Sequence, residues 1–342
     1  MLKRLLNHGL LKEILYYINE ISTKCHDKRW LKSRFVYHVI RRYYLLVNNP
    51  LLEKSILDLE WDNLLILDAC RYDLFNTLVK RLFNKNCQHL RSRGTETPEF
   101  LKNTFILYDR NNQKKSMLKD IIYITTNPWV DIICKNLFFK LVPVWKCYWD
   151  EKLGTVHPYY VNKITLRLRS KYPNKKFIVH YLQPHNPYIG FDHINKLSYD
   201  DYPVKNPKGI ILTKPFKAVE SGKIPTEKLW EAYKYNLKIV LKYALYLSYY
   251  LKGRTIITAD HGEAFGEKIH PLLPIRIYGH PPSVRIPTLV KVPWFIVDEI
   301  KNEIDIKDLK KEVNRLKPKS TKDEKMILRE KIAKLKSNKM CK

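Results

Sequence analysis

Several stretches of this chain are apolar at consecutive positions rather than alternate ones: Leu64 to Leu67, Ile121 to Ile124, Phe177 to Leu182 around His180, and the run Thr255 to Ala259. Short continuous runs of this kind predict strands buried on both faces, which belong mainly to parallel sheets covered by helices. Leu289 to Val292 is a further strand candidate. Between Leu229 and Leu251 a Tyr- and Leu-rich helical pattern precedes the last long run, the helix-to-strand step of a doubly wound sheet. Apolar stripes at Leu11–Ile21 and Val36–Leu46 predict basic, aromatic amphipathic helices over residues 1–58. Residues 59–298 form the α/β domain. A Lys-, Glu-, Ile- and Leu-rich tail occupies 299–342, with helical patterns at Asp308–Leu316 and Lys325–Leu335, and is expected to lie outside the core. The Pro- and Lys-rich stretch 190–226 predicts an insertion loop able to cover the site. No internal repeat is present.

Two of the apolar runs end in metal-ligating residues. Leu64–Leu67 delivers Asp68, and Thr255–Ala259 delivers Asp260, His261, Gly262 and Glu263. In open α/β sheets ligands bind at the carboxyl ends of the strands, so Asp68 and Asp260 can reach a common ion. Carboxylate and imidazole together suit zinc or manganese. A strand-terminal Asp also serves as a helix cap, and a surface Asp-His pair is common. The combination of two acidic strand ends favours the metal.

These pieces occur in a particular order: Leu67 to Asp73, Gly94 to Thr97, His180 to Tyr188 with His185 inside it, Thr258 to Glu263 with Gly266 and Glu267, Tyr278 to His280, and Val292 to Trp294. The ordered set resembles the alkaline phosphatase superfamily, in its sulfatase-like branch of arylsulfatases, phosphoethanolamine transferases and lipoteichoic acid synthases. It spans residues of about 60 to 295. The resemblance implies an α/β/α sandwich around a mostly parallel sheet, a divalent metal, and a hydroxyl or formylglycine nucleophile that attacks a phosphate or sulfate ester.

Ser92, Thr95 and Thr97 are the hydroxyls offered as nucleophile. Pro98 favours the first helical position and pushes its predecessor out of the α region, so Thr97 is expected to be the N-cap of the helix that follows. A helix N-terminus favours anions. Gly94–Thr97 is similar to the Gly-Thr-Ser-Thr stretch of phosphoethanolamine transferases, whose last Thr is the nucleophile; the carry-over lands on Thr97, with Thr95 as runner-up. No Cys stands in the Cys-x-Pro-x-Arg context that formylglycine formation needs, and Cys70 is expected to pack near the site. The resemblance places His185 and His280 at the phosphate. They are also candidates for a second metal, although one ion is preferred. Arg71 either neutralises substrate charge or pairs with Asp73. The expected ligand set is Asp68, Thr97, Asp260 and His261.

Composition adds boundaries. Hydrophobic content of 45% with 12% aromatic supplies a core for one large domain and excludes a disordered chain. No run of about 18 apolar residues appears. The N-terminus lacks the apolar core and cleavage site of a secretory signal, so a cytoplasmic protein, in part peripheral to the membrane, is expected. Six scattered cysteines without Cys-x-x-Cys spacing form neither a zinc ribbon nor a disulfide scaffold. Sixty-three Lys and Arg against 34 acidic residues give a formal charge of +29, which favours polyanionic partners: an anionic ester substrate, an anionic membrane surface or nucleic acid. The leading expectation is a metal-dependent hydrolase or transferase acting through a threonine. The alternative is an inactive superfamily member that binds nucleic acid or an anionic membrane through its basic charge. No recognised nucleic-acid-binding motif is present.

Overall fold

The computed structural model describes residues 39–109, 115–197 and 215–318, together with 204–205, 211–212 and the isolated positions 26 and 31. The expected helix at Leu11–Ile21, the tail helix at Lys325–Leu335, and most of residues 1–38 lie outside the described residues.

In chain order the elements that frame the site are helix α1 (Arg41–Val47), strand β1 (Asn63–Asp68), helix α2 (Tyr72–Phe83), strand β2 (Gln88–Arg91), helix α3 (Thr97–Leu101), strand β3 (Ile121–Thr125) and helix α4 (Pro128–Ile133). Strand β4 (Lys140–Pro143), helix α5 (Pro158–Lys171), strand β5 (Lys176–Pro184) and helix α6 (Thr226–Tyr250) follow. Strand β6 (Thr255–Thr258), the strands β7 (Ala264–Lys268) and β8 (Arg276–Gly279), strand β9 (Lys291–Ile296) and helix α7 (Ile306–Arg315) complete the set. The seven-stranded sheet runs β2-β9-β6-β1-β5-β3-β4. β1 is parallel to β5 and β6, and β3 is parallel to β4 and β5. Only β9 runs against its neighbours β2 and β6.

The continuous apolar runs become central strands because both faces of the sheet are covered. Leu65 and Leu67 of β1 point into one core with Phe75 and Val79 of α2, Val161 of α5 and the long face of α6. Leu64 and Ile66 point into the opposite core with Phe100, Leu101, Phe105 and Val130. This is an α/β/α sandwich with a mostly parallel sheet. Among the described residues no helix is long and apolar enough to cross a membrane.

Two boundaries differ from expectation. Stretch 190–226 is not a bare loop: it holds helices at Asp192–Leu197 and Pro215–Glu220 and an antiparallel pairing of Val204–Lys205 with Ile211–Leu212. Ile194, Ala218 and Val219 are buried there beside Tyr188 and Tyr233. The tail does not stay outside the core up to its described end. Leu309 and Val313 of α7 are buried against α6, where Tyr243 Oη donates to the Val313 carbonyl at 3.1 Å. Apolar residues four apart on α7 give it a stripe that a solvated helix would leave exposed.

Candidate active site

The carboxyl ends of β1, β3, β5 and β6 meet at one place, and each delivers a polar side chain. At the end of β1 the register with β5 shifts between Leu67 and Asp68. Ala69 then takes φ +57°, an uncommon left-handed conformation for a side chain with a Cβ. Two contacts hold it: Ala69 N–H donates to Asp260 Oδ1 at 3.0 Å, and Tyr233 Oη donates to the Ala69 carbonyl at 2.7 Å. At the end of β6, Gly262 is required by close approach to the backbone opposite. A Cβ there would lie 2.0 Å from the Thr288 carbonyl oxygen, and Gly262 N–H donates to Leu289 O.

Asp68, Thr97, Asp260 and His261 are all buried and converge. His261 Nε2 lies 3.6 Å from Asp68 Oδ1, 3.5 Å from Asp260 Oδ2 and 3.5 Å from Thr97 Oγ1. The other ring nitrogen, Nδ1, is 2.8 Å from the Gly262 carbonyl. A proton on Nδ1 satisfies that carbonyl and leaves the Nε2 lone pair facing the cluster. Donor atoms around a tetrahedral ion with bonds of about 2.1 Å stand roughly 3.4 Å apart, so these spacings fit a divalent ion. Asp68 Oδ1, moreover, is buried without a hydrogen-bond partner among the described residues, as a ligand oxygen would be.

Electrostatics separates the two carboxylates. Burial, and then the charge of Asp260, pushes the Asp68 carboxyl well above the usual range. Burial also works against ionised Asp260, but His261 and His180 and the Thr97 hydroxyl hold it below its ordinary value. Ionising both carboxyls at once is therefore disfavoured, and a cation between them would relieve that repulsion.

Only one of the three candidate hydroxyls reaches this cluster. Thr97 Oγ1 donates to Asp260 Oδ2 at 2.8 Å. Thr95 is turned away, its Oγ1 donating to Glu99 and accepting from Ser283 N–H. Ser92 Oγ donates to the Asp260 carbonyl and braces the β6 end from behind. Thr97 is not the N-cap, however. Glu96 holds that place and Thr97 opens the helix, so its hydroxyl is free of capping.

Asn127 and His180 were not legible as site residues. Asn127 caps α4 through its Oδ1, while its Nδ2 donates to Asp68 Oδ2 at 2.6 Å and to Thr97 Oγ1 at 3.2 Å. With one lone pair of Oγ1 taken by Asn127, the Thr97 proton is directed at Asp260. His180 is buried in β5 with Nδ1 3.0 Å from Tyr123 Oη and Nε2 3.8 and 3.7 Å from Asp68 and Asp260. Burial holds its pKa down to about 4, so it stays neutral.

A second group stands beside the first. His185, Glu263 and His280 offer ligand atoms within 4.8 Å of one another. The His280 ring centroid is 5.1 Å from that of His185 and 4.6 Å from that of His261. His280 Nδ1 is 2.7 Å from Glu263 Oε1. Burial first, and then the charge of His280, lowers His185 to about 4. Burial opposes charge on His280 too, but the Glu263 carboxylate lifts it above an ordinary imidazole. The two histidines are thus shifted in opposite directions from an ordinary imidazole.

Arg71 takes the structural alternative. Its guanidinium donates to both oxygens of Asp73, to Glu267 and to the Glu263 carbonyl, with the Trp230 ring 4.9 Å away. It fixes the turn after β1 and the strand after Glu263 rather than facing the cluster. Cys70 is buried and its thiol is held well above its ordinary pKa by burial, which suits packing and not nucleophilic attack.

No family model matches the chain, and no curated protein does. Among solved structures, the chain is similar to the soluble domain of lipooligosaccharide phosphoethanolamine transferase A from Neisseria meningitidis: 15% identity, TM-score 0.46, 73% of this chain and 81% of that one. The integral membrane protein of the same name and organism aligns with 88% of this chain and 62% of its own length, again at 15% identity and TM-score 0.46.

Proposed function

We propose that this chain is a phosphoryl-transfer enzyme of the alkaline phosphatase superfamily, acting on an anionic phosphate or sulfate ester with Thr97 as nucleophile. The single observation that carries the reading is the Thr97 hydroxyl, oriented by Asn127 and hydrogen-bonded to Asp260 inside a buried set of metal-ligand types. Asp68, Asp260, His261 and Thr97 would hold one divalent ion, zinc or manganese. Such an ion supplies Lewis acidity and neutralises negative charge at the reacting centre.

The residues themselves divide the remaining work. Thr97 Oγ1 attacks phosphorus in line and its proton passes to Asp260 Oδ2. The bond from phosphorus to the leaving oxygen breaks, and that oxygen takes a proton from His280, whose charged form Glu263 favours. A phosphothreonine remains. His185, neutral, accepts the proton of the water or alcohol whose oxygen then attacks phosphorus. The bond from phosphorus to Thr97 Oγ1 breaks, Oγ1 takes back its proton from Asp260, and exchange with solvent returns His185 to neutral and His280 to its charged form. Water gives a hydrolase and an alcohol gives a transferase. A reading with a second ion is favoured by the buried Glu263 Oε2, which lacks a partner among the described residues beside two imidazoles. Counting ions per chain separates one from two.

The test is turnover of p-nitrophenyl phosphate, its bis ester and p-nitrophenyl sulfate after metal stripping and re-addition of zinc or manganese. Metal-restored turnover that disappears in Thr97→Ala supports the reading. Undiminished turnover in that variant removes it.

A further inference from the structure

A second feature of the molecule lies away from the site. Helix α1 packs one side on the β7–β8 hairpin, where Ile40 and Tyr44 join Ile269, Ile277 and Ile286 in a small core and Tyr44 Oη donates to the Ile269 carbonyl. Its other side is apolar and, among the described residues, exposed. Leu46 is 85% exposed, and Leu52 in the 3-10 turn after α1 is 84% exposed. Leu272, at the tip of the hairpin, is 85% exposed. The helix and the tip are neighbours, because the Tyr43 ring meets the His270 ring edge-on at 5.6 Å. Leu46 and Val47 stand three and four residues beyond Tyr43, on its side of the helix.

Exposed cations surround this apolar surface, and the acidic residues next to it in sequence, Glu53 and Glu267, are paired with Arg91 and Arg71. Arg42 and Lys54 are exposed on the helical side. Lys268 and Arg276 are exposed register partners at the base of the tip. Neither Val39–Leu52 nor Lys268–Arg276 contains an acidic residue. Leucines projecting beyond a ring of long cationic side chains suit the boundary between headgroups and acyl chains: the aliphatic groups enter, and the cations stay with lipid phosphate. A symmetric contact between two copies would bring these cations against one another. Nucleic acid would ask for open aromatic faces, whereas the most exposed apolar side chains here are the aliphatic Leu46, Leu52 and Leu272, and Tyr43 is engaged with His270.

We infer that α1, the turn after it and the β7–β8 tip form a docking surface for an anionic lipid bilayer. The hairpin links this surface to the site, since β7 begins directly after Glu263 and β8 ends directly before His280. Five residues of strand set the site roughly 16 Å from the base of the tip, within reach of groups at the bilayer surface.

The test is flotation of the full chain with vesicles of phosphatidylcholine alone and of an equimolar mixture of phosphatidylcholine and phosphatidylglycerol. Two variants are compared, Leu46→Ser/Leu52→Ser/Leu272→Ser and Arg42→Glu/Lys268→Glu. The surface predicts binding to the mixed vesicles, a partition coefficient lowered at least about tenfold by the apolar triple, and a similar loss of the anionic preference in the charge variant. Turnover of a soluble ester serves as the folding control and is unchanged in the triple. Wild-type protein that floats with neither vesicle overturns the inference. So does a triple that floats like wild type, or one that only converts a dimer to a monomer. Flotation in a protein without turnover leaves this inference standing while the catalytic reading falls.

Discussion

Asn127 joins three elements, and replacing it separates what each contributes. Its Oδ1 caps α4 and its Nδ2 donates to Asp68 at 2.6 Å and to Thr97 at 3.2 Å. Serine retains a capping oxygen and loses the donor; alanine loses both. A cap is worth about 1 kcal/mol, so Asn127→Ala should be less stable than Asn127→Ser by about that amount. The donor matters differently. It holds the Asp68 carboxyl down against burial and against Asp260. A hydrogen bond to an ionised carboxylate is worth about 1.5–3 kcal/mol, against about 1 kcal/mol for a neutral one. Since a cation needs the ionised form, Asn127→Ser should weaken zinc binding by roughly twofold to thirtyfold, the difference between those two values. The sign with pH follows. Loss of Nδ2 raises the Asp68 pKa, so the deficit is greatest in acid and shrinks as pH rises. Competition with a colorimetric chelator at about pH 6 and about pH 8 measures it. A serine variant that binds zinc as tightly as wild type at both, or whose deficit grows with pH, would refute the reasoning.

Other consequences can be measured as directly. His157 is buried at the start of α5 with its folded pKa lowered to about 4 by burial, so it opposes protonation in the folded chain. Its contribution is present at neutral pH and is lost as pH falls from the unfolded value towards the folded one. Denaturant melts should show about 2 kcal/mol lost from this group between about pH 7 and about pH 5, and His157→Asn, which keeps a cap, should have a correspondingly flatter profile. An identical profile would mean the imidazole does not titrate between the two states. Glu263→Gln removes the carboxylate that raises the His280 pKa. The alkaline limb of the activity profile should then move to lower pH, because the acid loses its proton sooner; a limb that stays in place assigns the acid elsewhere.

The sandwich was legible because buried parallel strands write themselves as uninterrupted apolar runs, and Asp68, Asp260 and His261 because they stand where such runs end. Thr97 was legible as a hydroxyl beside Pro98, though the helix begins one residue earlier than the proline rule suggests. Asn127 and His180 could not be found this way. Their roles depend on the strand order β1-β5-β3, which sets β3 and β5 next to Asp68, and a lone His within an apolar run carries no local sign of what it faces. Glu263 had a similar difficulty: its partner His280 arrives through the β7–β8 return. The two readings of Arg71 were distinguishable only once Glu267 and Asp73 were seen to enclose it. The first tail helix was misplaced because its heavy charge hid two apolar positions, Leu309 and Val313, that suffice to dock it.

The most direct test of the central claim is the site of covalent modification. The metal-loaded protein is incubated with bis(p-nitrophenyl) phosphate, quenched in acid and mapped by peptide mass spectrometry. A phosphoryl adduct is expected on Thr97, absent after metal stripping and stronger in a His185→Gln variant, in which the second step is slowed. Turnover with no adduct on Thr97 in either protein, or an adduct on Thr95 or Ser92, would contradict it.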